Sequence, residues 1–472
     1  MDINPAAQTL ISLYPGAKVV DARTRVVFPG FVNAHFHTEG VLLRYITRRT
    51  PYPAWNALPD LQGVIARMVD PSSAAAIAML YRVAGTSHLR SGTTTVADYP
   101  ARYAPAVLGG AIEALGATGV RSVTSLQTWE QLEAVRSAPP GARGYSIALG
   151  PEADYTVYSL EGFVRASAET QFPLAAHLGE VRAETEALRG LFKKGPLRIL
   201  KDCGALVPRT HLMHCNHIGE KETDLLRESG NPVTLCVRST LAKQTGYPLL
   251  RSLASRDVPV CLGTDWGETD LLGEIGVLRN LRRYATGMPA YTPLELMRMA
   301  TINGAHALGI ASHTGSIEVG KYADLVMIPL NDLRLPALGV TPTAGEIAEI
   351  ITDYCTTGMI ADVMTQGVFR VWNGEAVRVD GEEILREFRQ LQGAFLPRAV
   401  EESAEDSSPG IPLVPSDRGE KTPLAGDGET APESPREPGA NMRPPGKAPD
   451  ETLQKFPIVT KKLGKVFGED DI

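Results

Sequence analysis

Two histidines separated by a single residue, His35 and His37, end the apolar run Phe28-Pro29-Gly30-Phe31-Val32-Asn33-Ala34-His35-Phe36-His37. Residues two apart on a strand project to the same side, so both imidazoles aim at one place. Imidazole suits zinc, iron and similar transition metals. Two strand histidines that merely share a face would look the same, so the pair needs further residues before it means a metal. Those residues lie downstream. One segment ends Ala175-Ala176-His177-Leu178-Gly179-Glu180, another reads His211-Leu212-Met213-His214-Cys215, and a third ends Leu262-Gly263-Thr264-Asp265. Each places a histidine or carboxylate at the end of an apolar, strand-like stretch.

The elements that would bring these residues together are regular. Eight short apolar runs recur between residues 30 and 310: Phe31–His35, Thr94–Asp98, Arg121–Leu126, Tyr145–Leu149, Leu174–His177, His211–Cys215, Pro232–Cys236 and Val258–Thr264. Helical stretches such as Ser73–Ser91 and Glu180–Phe192 separate them, and an Ala-rich helix is expected over Leu294–Leu308. Eight strand–helix units in series predict a (β/α)8 TIM-type barrel, spanning 30–314. In such a barrel functional groups gather at the C-terminal strand ends, so His35, His37, His177, Glu180, His214 and Asp265 would share one mouth. On the sixth strand His211 has the opposite parity to His214 and is expected to face the helices. Outside the barrel, strand candidates at Lys18–Asp21, Val26–Phe28, Asp362–Thr365 and Val368–Trp372, with the turn Asn373-Gly374, predict a small β-sandwich built from both chain ends, 1–29 and 315–396. Residues 397–472 are rich in Ser, Pro, Glu, Gly and Asp and read as a disordered tail, since such a segment buries too little apolar surface to order itself.

With these motifs in place, the chain resembles the amidohydrolase superfamily, in the branch of cytosine-deaminase-like, guanine-deaminase-like and triazine-hydrolase (atrazine chlorohydrolase-like) enzymes. The resemblance rests on Pro29-Gly30-Phe31-Val32-Asn33-Ala34-His35-Phe36-His37, on Leu89-Arg90-Ser91-Gly92-Thr93-Thr94-Thr95-Val96-Ala97-Asp98 and on His177-Leu178-Gly179-Glu180. It continues through His214-Cys215-Asn216-His217, Leu262-Gly263-Thr264-Asp265, Ala300-Thr301-Ile302-Asn303-Gly304-Ala305 and Gly320-Lys321-Tyr322-Ala323-Asp324-Leu325. It implies that His35, His37, His177 and Asp265 ligate one divalent metal, zinc or iron, leaving a position for water. It further implies that Glu180 shuttles a proton from water to the leaving group, that His214 orients the nucleophile and stabilises charge, and that Asp265 can also accept a proton. No lysine ends the fourth strand, which argues for a single metal. The resemblance also implies several strands ahead of the barrel, so either the sandwich is reduced here or the chain begins late.

The pattern departs in three places, all at strand ends that would shape a substrate pocket. Where relatives carry Pro-His-Ala-Pro-Tyr-Thr, this chain has Pro151-Glu152-Ala153-Asp154-Tyr155-Thr156. Glu152 would face an amine or cationic substrate, or is a solvated loop residue. Cys236-Val237-Arg238-Ser239-Thr240 stands where relatives have Cys-Pro-x-Ser-Asn; Arg238 would pair with an anionic group or form a rim salt bridge. Trp266, after Asp265, would stack on a ring or wall the pocket. His217, just past the sixth strand, is a further candidate for substrate contact.

Composition narrows the partners. The 472 residues carry a formal net charge of -7 with no long basic block, which speaks against nucleic acid. There is no run of 18 apolar residues to span a membrane and no basic-then-apolar leader, so a cytoplasmic location is expected. Five scattered cysteines without a Cys-x-x-Cys fit buried free thiols in a reducing compartment. The partner expected is a small-molecule substrate, with a homo-oligomer left open. Together these features predict a metal-dependent hydrolase of non-peptide carbon–nitrogen bonds, chiefly a deaminase of a small heterocycle or amidine-like compound. Ring dehalogenation and cyclic amide opening are chemically adjacent alternatives, and an inactive barrel used for binding is an alternative of another class.

Overall fold

The structure is a computed structural model, and it describes residues 5–16, 19–136, 144–149, 160–208, 210–247, 249–286, 291–336 and 342–396. Two sheets organise them. The first is parallel and runs in the order β10-β2-β3-β4-β5-β6-β7-β8-β9. Its strands are β2 (Phe31–His37), β3 (Thr93–Asp98), β4 (Arg121–Leu126), β5 (Gly144–Leu149), β6 (Leu174–Leu178), β7 (Thr210–His214), β8 (Val233–Leu235), β9 (Val260–Leu262) and β10 (Asp265–Trp266). Strands β9 and β10 are two pieces of one strand, interrupted at Gly263-Thr264. β9 pairs with β8, while β10 pairs with β2 through Asp265 beside Phe36 and Trp266 beside His37. The last strand therefore returns to the first, and eight strand positions close into a TIM-type barrel.

The strands are buried on both faces because helices cover the outside. On β2, Val32 and Ala34 pack outward with Ala305, Leu308 and Ala307 of the surrounding shell, and Phe36 meets His88 of the Ala74–Arg90 helix edge-on at 4.4 Å. Fully burying a side chain the size of Val32, Leu308 or Phe36 is worth roughly 1.5–3 kcal/mol relative to exposure. Asn33, His35 and His37, of the other parity, face the interior. Helix ends follow local chemistry. Gly119, at φ 102°, ends the Pro105–Thr118 helix and releases the chain into β4. Thr292 and Glu295 form a capping box with Pro293 in the first turn.

The helix expected over Leu294–Leu308 is two helices, Pro293–Met299 and Ile302–Ala307. The break has a tertiary cause: the Ala300 carbonyl, which a continuous helix would use internally, accepts the Val32 amide of β2 at 2.8 Å.

The second sheet is antiparallel, in the order β1-β11-β12-β13-β14, with β1 (Arg25–Pro29), β11 (Leu325–Pro329), β12 (Asp362–Thr365), β13 (Val368–Trp372) and β14 (Glu375–Ala376). It joins an early strand to late ones, with Arg25 opposite Pro329 and Pro29 opposite Leu325. Among the described residues of the first 29, β1 is the one strand. Residues 19–21, part of an expected strand, are not in one, and Pro5–Leu13 is a helix. The Gly381–Phe395 helix packs on the Ala74–Arg90 helix, with Arg82 paired to Glu387 at 2.9 Å and Glu383 at 3.2 Å. No single helix among the described residues is long and apolar enough to cross a membrane. Residues 397–472, the expected tail, lie outside the described residues.

Candidate active site

The metal-type residues converge at the C-terminal ends of β2, β6, β7 and β9/β10. Their placement depends on the seam between first and last strands. Asn33, inward on β2, accepts the Thr264 amide at 3.0 Å and donates to Thr264 Oγ1 at 2.7 Å. The Thr264 amide also reaches the His35 carbonyl at 2.9 Å. Gly263 permits this approach, since a Cβ there would lie 2.7 Å from the His35 amide nitrogen. Asp265, next in the chain, is thereby fixed against His35 and His37.

Four ligand-type atoms meet. His35 Nε2 and His177 Nε2 are 3.1 Å apart, and His37 Nε2 and His177 Nε2 are 3.3 Å apart. Asp265 Oδ1 lies 3.3 Å from His37 Nε2 and 3.5 Å from His35 Nε2. A tetrahedral ion with bonds of about 2.0–2.2 Å needs ligand atoms about 3.3–3.6 Å from one another, and these separations lie at or near that range. Asp265 Oδ1 is buried and accepts no hydrogen bond among the described residues, as expected of an oxygen reserved for a cation. Burial lowers the pKa of His35 and takes His177 down to about 3, favouring the neutral imidazoles that ligation requires. The residues present fit one divalent metal.

Glu180 and His214 flank the cluster, His214 Nε2 standing 3.8 Å from Glu180 Oε2. His214 and Asp265 share a further feature: both have left-handed backbone, φ 67° and 57°. That turn corrects the parity expectation on β7. The register sets Ala175 beside His211 and His177 beside Met213, so His211 shares the inward face and hydrogen-bonds Thr234 of β8. His214 enters the mouth because the chain turns there, not because of alternation. Left-handed backbone in non-glycine residues costs energy and collects at functional sites.

Two participants were not singled out from the sequence. Lys243, almost fully buried, places Nζ 2.7 Å from Asp265 Oδ2 and 2.8 Å from Glu180 Oε1. Ser239 donates to the same Asp265 Oδ2 at 2.6 Å. Burial disfavours the Lys243 charge, but Asp265 and Glu180 outweigh it and raise its pKa. Burial likewise pushes Asp265 upward, and Lys243 with the surrounding histidines holds it well below the carboxylate range. The recoverable signal was spacing: Ser239 and Lys243 are four apart on the Val237–Lys243 helix and so share a face.

The candidates for substrate contact divide. Beside the centre opens a cavity of about 530 Å3, lined in part by Arg44, Trp55, Arg238, Lys243 and Trp266. Trp266 lies 5.8 Å from the His37 ring and 4.9 Å from Trp55, its Nε1 donating to Thr47. Arg238 stands between Asp270 at 3.4 Å and Glu268 at 3.6 Å, so its charge already has partners. His217 is not in this lining; its ring bonds the Thr245 carbonyl at 2.6 Å. Glu152 lies outside the described residues.

A parallel barrel carrying three histidines and an aspartate at the C-terminal mouth defines the class of metal-dependent hydrolases built on this fold. The chain belongs to the amidohydrolase family, whose model matches residues 26–370. It is a metal-dependent hydrolase of carbon–nitrogen bonds other than peptide bonds. It is 29% identical over 382 residues to a 5-methylthioadenosine/S-adenosylhomocysteine deaminase of Moorella thermoacetica, covering 78% of this chain and 86% of that protein. A deaminase of the same name from Desulforudis audaxviator is 31% identical over 333 residues, covering 67% and 76%. Among solved structures, a zinc-bound adenosine deaminase of Xanthomonas campestris superposes with a TM-score of 0.68 at 22% identity, covering 79% of this chain and 86% of that one, a likeness of fold.

Proposed function

We propose that this chain is an aminohydrolase that removes an exocyclic amino group from a small heterocycle, with zinc as its metal. The observation that carries the reading is the cluster of His35, His37 and His177 Nε2 with Asp265 Oδ1, bordered by Glu180 and His214. When bound there, the metal supplies the Lewis acidity that makes water a nucleophile near neutral pH. Glu180, at the mouth and beside His214, takes a proton from the water and returns it to the departing nitrogen. His214, whose ring nitrogens make no hydrogen bond among the described residues, is available to donate to the oxygen that adds to the attacked carbon. A carbon–oxygen bond forms, the carbon–nitrogen bond breaks, and ammonia leaves. Trp266 and Trp55 offer flat apolar walls for a ring next to His37, and Arg238 lies at the rim of the same cavity. The names of the similar deaminases place adenine-bearing compounds first among rings to try.

The test is ammonia release by the zinc-loaded protein from a panel of aminated heterocycles and amidines, with chlorinated analogues and cyclic amides alongside. Ammonia from an aminated ring, lost on chelation and restored by zinc, supports the reading. Halide release or ring opening without ammonia, or inertness at full metal occupancy, sinks it.

A further inference from the structure

The Lys243 ammonium is held by groups from three parts of the chain. Its Nζ lies over two aromatic rings, 4.6 Å from the Tyr52 ring centre and 5.6 Å from that of Trp55. Its head bridges Glu180, after β6, and Asp265, on β10. The helix that delivers it is aligned from its other end, where buried Glu274 accepts the Arg238 amide at 3.1 Å. That alignment sets Ser239 and Lys243, one turn apart, onto the same oxygen of Asp265.

The two oxygens of Asp265 therefore have different fates. Oδ1 accepts no hydrogen bond among the described residues and faces the imidazoles. Oδ2 accepts from a hydroxyl and an ammonium. With those two donors in place, its lone pairs are spoken for. Glu180 divides the other way, with Oε1 on Lys243 and Oε2 toward His214.

We propose that Lys243 is a positioning residue of this centre: it keeps Asp265 a one-oxygen ligand, so that proton transfer falls to Glu180 alone. The proposal rests on the reading of the site given above, and it removes the proton-accepting role that the family resemblance allows Asp265. Groups behind a metal ligand fix its orientation, and their loss costs roughly 10–100-fold in affinity or activity.

The experiment uses the full chain loaded with cobalt(II), whose visible absorption weakens as coordination number rises, beside kinetics of the zinc form. Lys243→Met keeps the stem and removes the charge. It should free Asp265 Oδ2 to turn toward the metal, weakening the cobalt band, and lower kcat roughly 10–100-fold with KM changed far less. Lys243→Arg, which keeps charge and donors, should recover part of both. If the methionine variant does not fold, Lys243→Gln takes its place, with one donor for two carboxylates and the same direction expected. An unchanged cobalt spectrum overturns the proposal, whether or not kcat falls, as does kcat within threefold of the parent. The cobalt measurement needs no substrate, so it stands even if no aminated ring is turned over, an outcome that would count against the function alone.

Discussion

Two buried aspartates at opposite ends of the barrel strands make an instructive pair. Asp324, at the start of β11, has both oxygens engaged. Oδ2 takes Arg121 Nη1 at 2.5 Å and Thr314 Oγ1 at 2.6 Å, and Oδ1 takes the Gln366 amide at 2.8 Å. Asp265, equally buried, has one oxygen held and one unmet. Both lie in motifs that carry the family resemblance, yet only one sits among imidazoles. A buried acid whose acceptors are all satisfied inside the protein is a structural junction; one left half satisfied is waiting for something else. Glu274 adds a third case. It is fully buried with Oε1 unpaired and no imidazole paired to it among the described residues, and burial pushes its pKa up to about 8. Its carboxyl answers burial by favouring the neutral, protonated form.

The contrast can be broken most severely at Asp265. Asparagine tolerates the left-handed backbone there but lacks the charge. Asp265→Asn should lose nearly all bound metal by elemental analysis and all turnover, while circular dichroism shows a folded barrel. Metal retained at parental stoichiometry would end the assignment of this centre. Glu180→Gln comes next. It should keep its metal and lose roughly 10²–10⁴-fold in kcat, the usual span for a general acid–base group; near-parental turnover would pass the proton role to another residue. Asp324→Ala should do the reverse, destabilising the chain by roughly 3–5 kcal/mol because Arg121 is left buried and unpaired. Its folded fraction should bind metal normally, and chemical denaturation followed by metal titration separates the two effects.

The smallest expected effect is at Glu274 and depends on pH. Its folded pKa lies above the ordinary 4.5, so the native state holds a proton that the unfolded chain releases. Stability from that proton is complete below pH 4.5 and drains away as pH rises through 8. Glu274→Gln should therefore raise Tm relative to the parent at pH 8 and leave it nearly unchanged at pH 5. Equal shifts at both values would show that Glu274 is not protonated in the fold.

Most of the barrel was legible because strand alternation and helix spacing are local. Seven of its residues at the strand ends, His35, His37, His177, Glu180, His214, Asp265 and Trp266, could be placed at the mouth from sequence order. What escaped depends on distant partners. Lys243 reads as an ordinary basic residue in a short helix, and the groups that surround its ammonium, Tyr52, Trp55, Glu180 and Asp265, all come from other parts of the chain. The Ala300 break follows from a hydrogen bond to β2 that nothing nearby announces. The inward face of His211 was misassigned because alternation presumes extended backbone, and His214 leaves it.

The seam between β2 and β10 gives the centre a second meaning. Asn33 and Thr264, which clasp there, are 231 positions apart, so closing the ring joins nearly the two ends of the barrel's chain. His35 and His37 stand on one lip of that join and Asp265 on the other. An ion gripping both lips binds the shut ring and not the parted one, so by mass action each tenfold rise in its free concentration over its dissociation constant adds about 1.4 kcal/mol against parting. The residues proposed to hold the metal are thus also a buckle: the same side chains that would ligate it would clasp the first strand to the last.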